Sequence, residues 1–206
     1  MRPCLAVLIC VALAAAARAQ VPTLRVRVLD YAGLPAATLG NFQAPARAVF
    51  AQSGIASEWP TCSIRSGRGN CQPLADRELY IKIVPQRPPH GKASFGTTVR
   101  QGSRGLFSYV FWSRVEQAAR QYGVAPSLLL GHVVAHEAGH LLGLDHAASG
   151  IMQCEFAAPQ ILRAGQGSLR FSGEEGAALR DALGPRLAAG ALPLQPAPEA
   201  RRRADR

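Results

Sequence analysis

Four side chains within eleven residues have the types and spacing to hold a metal ion and to use it. In the stretch His136-Glu137-Ala138-Gly139-His140-Leu141-Leu142-Gly143-Leu144-Asp145-His146 the first two histidines stand four apart. On a helix that spacing puts both imidazoles on one face, one turn from each other. Two neutral imidazoles so placed can hold a zinc ion, and Glu137 between them can reach a water bound to it. A helix continuing past Gly143 would carry His146 away from that metal. Glycine tolerates the left-handed conformation that ends helices, so the chain can turn there and return His146 as a third ligand. Three protein ligands leave the fourth tetrahedral position open for water, which is the catalytic arrangement rather than the closed structural one. The chemistry expected is metal-assisted hydrolysis, with Glu137 as general base.

The extended pattern His-Glu-x-x-His-x-x-Gly-x-x-His, followed closely by Ser149-Gly150-Ile151-Met152, resembles the signature of the metzincin clan of zinc endopeptidases, and its wording is most similar to the matrixin version. The resemblance implies an α+β, metzincin-like zincin. In such a fold a mixed twisted sheet packs on helices, an active-site helix carries the ligands, and a cleft separates a small C-terminal subdomain. It also implies Zn2+ as cofactor, His136, His140 and His146 as ligands, Glu137 as catalytic base, and Met152 as a soft apolar floor beneath the histidines that does not bind the metal. The sheet's edge strand would lie along the cleft and pair with extended substrate backbone, and Ser94 to Arg104 is the expected edge. Three departures stand out. The span from His146 to Met152 is short, so the loop under the metal must be tight. No tyrosine follows Met152 to serve as an additional ligand. No propeptide is expected between the leader and the first strand, and Cys154 is in the wrong place for cysteine-switch latency.

Two neighbouring residues admit more than one reading. Asp145 either holds a ligand histidine in its tautomer or is a surface carboxylate at a helix end. His132 lies one turn before His136 on the same face. A zinc held by His136 and His140 would be too far from it, so it is expected to support the ligands or to face solvent.

The elements that must position this site follow from periodicity. Thr23 to Asp30 alternates, with Leu24, Val26 and Val28 on one face and Arg25 and Arg27 on the other, as in a half-buried strand. Gly33 to Gly40 reads as loop. Pro45 suits the first turn of a helix in which Ala46, Val49 and Phe50 share a face and which Gly54 ends. Ile55 to Trp59 is a short strand, and Pro60 to Pro73 an exposed loop. Glu78 to Val84 alternates again, Pro85 to Lys92 is a connection, and Ser94 to Val99 and Gly105 to Trp112 are further strands. The last of these is nearly all apolar, as a central strand would be. Ser113-x-x-Glu116 is a capping box for a helix that Gly123 stops. Pro126 and Ser127 then start the metal helix, from about Leu128 to Leu142. Glu155 to Arg170 has no clear periodicity and is expected to line the pocket on the leaving-group side. Ser172 and Glu175 form a second capping box, opening a helix that Gly184-Pro185 ends.

Three domains of sequence are expected: a secretory signal peptide over 1–19, a catalytic domain over 20–185, and a disordered Ala/Pro/Arg-rich tail over 186–206. The leader reads from Arg2, through the apolar run Leu5 to Ala17, to the small-x-small site Ala17-Arg18-Ala19. The run is too short to span a membrane, and no other stretch approaches a span. Export to the extracellular space or periplasm follows as the expectation. Three cysteines lie beyond the leader. Cys62 and Cys71 are the pair expected to close the Gly/Ser/Arg loop in an oxidising compartment, which leaves Cys154 buried near the metal or as a free thiol. The formal net charge is +10, carried mainly by scattered arginines, which is read as a solvated basic surface, with attraction to acidic partners such as anionic polymers or envelope surfaces as the alternative. Nucleic acid is not expected, because no recognised module is present. A monomer acting on protein or peptide is expected, with no nucleic acid and no membrane span. The alternatives are a zinc hydrolase of a non-protein amide, such as a cell-wall crosslink, and an inactive zinc-containing binding protein.

Overall fold

A computed structural model describes residues 23–69, 71–72, 79–86, 94–102 and 104–188. The expected signal peptide lies outside the described residues, as does the tail beyond residue 188 and most of the connection expected from Pro85 to Lys92.

Among the described residues seven strands make one mixed sheet: β1 (Thr23–Asp30), β2 (Ala56–Glu58), β3 (Thr61–Ser63), β4 (Arg68–Gly69), β5 (Leu79–Val84), β6 (Gly96–Gln101) and β7 (Arg104–Phe111). Its order is β4-β3-β1-β5-β7-β6, with β2 also pairing to β1. The pairings of β1 with β2, β3 and β5, and of β5 with β7, are parallel. Strands β6 and β4 run antiparallel to their neighbours. The described residues also form six helices: α1 (Ala36–Asn41), α2 (Gln43–Ala51), α3 (Trp112–Tyr122), α4 (Pro126–Leu141), α5 (Ala158–Gly165) and α6 (Gly173–Ala188). The fold is thus the expected α+β arrangement of a mixed sheet packed on helices.

Helix α4 sits at the centre. Every residue from Leu129 to Leu141 is buried, as suits a helix that is apolar on most sides and enclosed by its neighbours. One core runs from Val26 and Val28 on β1, through Ile81 and Ile83 on β5, to Val133 and Val134 on α4 and Leu179 on α6. At Gly105 the sheet and α4 nearly touch. A Cβ there would stand 2.5 Å from Leu141 Cα, so only a residue without a side chain lets β7 lie this close.

Several expectations need correction. Arg27, placed on the open face of β1, is 3% exposed, because its guanidinium donates to the Gln72 carbonyl at 2.5 Å and is covered there. The supposed loop from Gly33 to Gly40 contains α1, which begins directly after Pro35. Proline's fixed φ is compatible with a helix entry. The loop from Pro60 to Pro73 contains the β3–β4 pair, pinned by a Cys62–Cys71 disulfide. The Ser113 box does not cap α3. Helix α3 starts one residue earlier, with Phe111 still tied into the sheet, and the Ser113 amide is satisfied by the Pro85 carbonyl at 3.0 Å. The aperiodic stretch from Glu155 to Arg170 contains α5, which buries Ile161 and Ala164. Finally, α6 runs through Gly184 and Pro185 to Ala188. A proline disfavours helix in the residue before it by striking that residue's Cβ, and Gly184 has none.

Other readings match. Gly123 closes α3 in the left-handed conformation at φ 65°. At α6 the Ser172 amide donates to Glu175 Oε2 at 2.7 Å and the Glu175 amide to Ser172 Oγ at 3.1 Å, a reciprocal capping box.

Candidate metal centre

Helix α4 ends at Leu141, and the chain turns at Gly143 with φ 101°, a region that side chains with a Cβ rarely enter. The turn returns His146 to the other two histidines. One ligand nitrogen from each of His136, His140 and His146 lies within 4.8 Å of the others. His136 and His140 are buried, and His146 is exposed at the mouth of the site.

The outward-facing nitrogens are already engaged. His136 Nδ1 lies 2.7 Å from the Ile151 carbonyl and His140 Nδ1 2.7 Å from the Leu144 carbonyl. A carbonyl can only accept, so both Nδ1 atoms carry the proton, at His140 because the Leu144 carbonyl is closer than the donor Arg100 Nη2 at 3.1 Å, and both Nε2 atoms present lone pairs. His140 Nε2 then meets His146 Nε2 at 3.1 Å. Imidazole nitrogens gathered from three sides, two of them on buried rings, are the donor set a cation needs, so these residues fit a bound metal. Burial, reinforced by His140 close by, pushes His136 down to about 3, and burial lowers His140 as well. Both therefore stay neutral and available at ordinary pH.

Met152 is fully buried beneath this set. Its Sδ stands 2.8 Å from where a Cβ on Gly139 would be, between the two helical histidines. The short span to His146 is tied by a backbone hydrogen bond from Ala147 to the Met152 carbonyl at 2.9 Å. The loop from His146 to Met152 is thus tight, with the buried Met152 side chain packed against Gly139. Ile151, next to Met152, supplies the carbonyl that orients His136.

Glu137 is 3% exposed, yet its carboxylate borders the cleft. Burial raises it to about 8, against the opposing pull of Thr98 and Arg100. The cleft has a volume of about 480 Å³ and is bounded by β6 on one side and by Gln153 to Phe156 on the other. Strand β6 is an edge strand in the sheet order, as expected for Ser94 to Arg104.

Three residues of the site escaped sequence reasoning. Thr98 Oγ1 donates to Glu137 Oε2 at 2.8 Å, and Ser108 Oγ lies 2.6 Å from Thr98 Oγ1. Arg100 donates from Nη1 to Asp145 at 2.7 Å and from Nη2 to the Leu144 carbonyl at 2.5 Å. It thereby ties β6 to the loop that bears His146. The register between β6 and β7 shifts at Val99/Arg100, and such an irregularity can re-aim a side chain next to a site. The alternation of Gly96, Thr98 and Arg100 was the available signal, since they share one face of a strand.

Asp145 touches no histidine. It is exposed and paired with Arg100, whose hydrogen bond and charge hold its carboxyl below the usual range. His132 is buried rather than a surface group, donates to the Leu128 carbonyl at 2.8 Å, and stands outside the group of three converging histidines found among the described residues. Cys154 is a free, exposed thiol on the cleft rim.

No protein-family model matches this sequence, and no curated protein matches it. In structure the chain is similar to a zinc-dependent peptidase from Methanocorpusculum labreanum, with a TM-score of 0.53 and 15% identity over 75% of this chain and 99% of that one. It is similar also to archaemetzincin from Methanopyrus kandleri, with a TM-score of 0.50 and 16% identity over 80% of this chain and 97% of that one. A third likeness is to metalloproteinase-II from Bacteroides fragilis, with a TM-score of 0.50 and 15% identity over 79% of this chain. This chain spans about half of that protein, 54%. At these identities the likeness is one of fold.

Proposed function

We propose that this chain is a secreted zinc-dependent endopeptidase of metzincin type, matrixin-like in its metal motif. The observation that carries the reading is the convergence of His136, His140 and His146 beside the Glu137 carboxylate, at the foot of a cleft bounded by an edge strand. The solved structures it resembles in fold include proteins described as a zinc-dependent peptidase and an archaemetzincin. Zinc held by the three imidazoles would acidify a bound water towards neutral pH and polarise the scissile carbonyl.

The chain's own residues do the rest. Glu137 takes a proton from the attacking water as the water oxygen bonds to the carbonyl carbon. As the C–N bond breaks, Glu137 returns that proton to the leaving amine nitrogen. Strand β6 offers its free edge to an extended substrate backbone, which suits a peptide better than a compact molecule. Secretion is supported by the leader-like first nineteen residues and by the Cys62–Cys71 disulfide, a bond at home in an oxidising compartment. Among the described residues no helix is long and apolar enough to cross a membrane.

The test is digestion of a complex peptide library by residues 20–206, loaded with zinc, beside Glu137→Ala. Cuts that vanish in the variant are expected, and they report the subsite preference. An absence of cuts with zinc bound would overturn the endopeptidase reading. Turnover of cell-wall amides in the same preparation would then support a non-protein substrate, and no turnover at all a binding role.

A further inference from the structure

The Glu137 carboxylate, carried by α4, is held from the strand side. When ionised it only accepts hydrogen bonds, so the single hydroxyl proton of Thr98, 2.8 Å away, is committed to Oε2. The 2.6 Å contact between Thr98 Oγ1 and Ser108 Oγ must then take its proton from Ser108. Ser108 is fully buried, and its other acceptor, the main-chain carbonyl of Glu137, is farther off at 3.4 Å. With the carboxylate ionised, as a general base must be, one proton order satisfies all three groups: Ser108 to Thr98 to Glu137. Hydrogen bonds in such a chain polarise one another, which strengthens the last of them. The second carboxylate oxygen, Oε1, occupies the space that a Cβ on Gly96 would fill. Gly96 and Thr98 stand two apart on β6 and so address the carboxylate from one face.

We infer that β6 orients the general base: the Ser108–Thr98 hydroxyl pair anchors Oε2, which leaves Oε1, lying over Gly96, as the oxygen that receives and returns the proton. Thr98 is in that sense a positioning residue. The inference rests on Glu137 acting as base, as proposed above. It places Thr98, the hydroxyl that meets the carboxylate, on the strand that would also pair with substrate, while Ser108 backs it from β7. The proton taken onto Oε1 leaves again on the amine nitrogen, so Thr98 and Ser108 keep their own protons throughout.

Thr98→Val removes the hydroxyl at nearly constant shape, and Thr98→Ser retains it. Both are compared with wild type, Ser108→Ala and Glu137→Gln on one peptide cut from the library, with zinc content measured for each. Thr98→Val is expected to keep one zinc per chain and an unchanged KM, while kcat falls about 10- to 100-fold, the rate equivalent of a hydrogen bond to a charged group. Thr98→Ser should recover most of that loss, and Ser108→Ala should fall between. An unaltered kcat in Thr98→Val overturns the inference. So does a serine variant as slow as the valine one, or a loss found wholly in KM or in zinc content.

If wild type cuts no peptide, or Glu137→Gln cuts as fast, it is the endopeptidase reading that fails. The anchor is then judged by thermal unfolding of the zinc-free protein. Thr98→Val should lower the midpoint when Glu137 is present and leave it nearly unmoved in a Glu137→Met background. Equal shifts in both backgrounds would show that Thr98 does not hold the carboxylate.

Discussion

Gly105→Ala tests how tightly the sheet holds the metal helix. The added Cβ would meet three atoms of one residue: Leu141 Cα at 2.5 Å, Cδ2 at 2.9 Å and the carbonyl oxygen at 3.1 Å. An unstrained carbon–carbon contact needs about 3.5–4.0 Å, so the gap must open by roughly 1 Å. The side-chain atom can rotate aside, but Cα and the carbonyl belong to the last turn of α4 and cannot. Overpacking against backbone falls at the upper end of about 1–3 kcal/mol. Alanine also restricts the unfolded chain, which offsets about 0.4–1 kcal/mol. The net expectation is a loss of about 2 kcal/mol, or roughly 4–8 °C in Tm for a chain of this size. Because Leu141 follows His140, the same displacement should also weaken zinc binding. Thermal unfolding of zinc-free protein reads the first effect, and titration with a zinc indicator the second. Gly40→Ala is the control. It lies within α1 with no atom inside 4 Å of its would-be Cβ, and should gain about 0.5–1 kcal/mol. If Gly105→Ala melted with or above wild type while Gly40→Ala behaved as expected, the close contact between β7 and α4 would be refuted.

Arg100→Met should keep the fold but weaken zinc binding by about 10- to 100-fold, the usual cost of removing a group that orients a ligand, as measured by competition with a chelating indicator. Reduction of Cys62–Cys71, whose ends are nine apart in sequence, should cost about 2–3 kcal/mol in urea unfolding under the chain-entropy model. Ser172→Ala removes a reciprocal cap of α6 and should cost about 1 kcal/mol in the same assay. His132 is held below its ordinary value of 6.5 by burial, with the Leu128 carbonyl opposing. A group with a depressed pKa contributes stability that is full above the unfolded value and lost as pH falls through the folded one. His132→Leu should therefore move the acid-unfolding midpoint of the zinc-free protein to lower pH, and an unmoved midpoint would contradict a buried neutral imidazole.

Local patterns carried the sequence reading where the physics was local. The four-residue step between His136 and His140 is a property of any helix, and the glycine at 143 is a property of any sharp exit from one. The Ser172–Glu175 box held because nothing else competes for its amides. The Ser113–Glu116 box has the same letters and failed, because Phe111 stayed in the sheet and Pro85 reached the Ser113 amide first. Arg27 reads as a solvent-facing partner of Arg25, yet it is buried and donates to the Gln72 carbonyl, 45 residues along the chain. The helix breakers misled in a similar way. Gly40 and Gly184 weaken a helix locally, but α1 and α6 carry them.

The sequence by itself therefore determined the three histidines that could hold a metal ion, the glutamate between them, the methionine beneath and the general α+β layout. Each rests on spacing within one turn, one strand or one short loop, and such spacing survives any tertiary arrangement. The tertiary structure alone decided what holds those groups in place. Thr98 meets Glu137 across 39 residues and Arg100 meets Asp145 across 45. Gly105 admits Leu141 because a strand and a helix distant in sequence press together. These contacts arise where the sheet edge folds against α4, and no periodicity within either segment records that meeting.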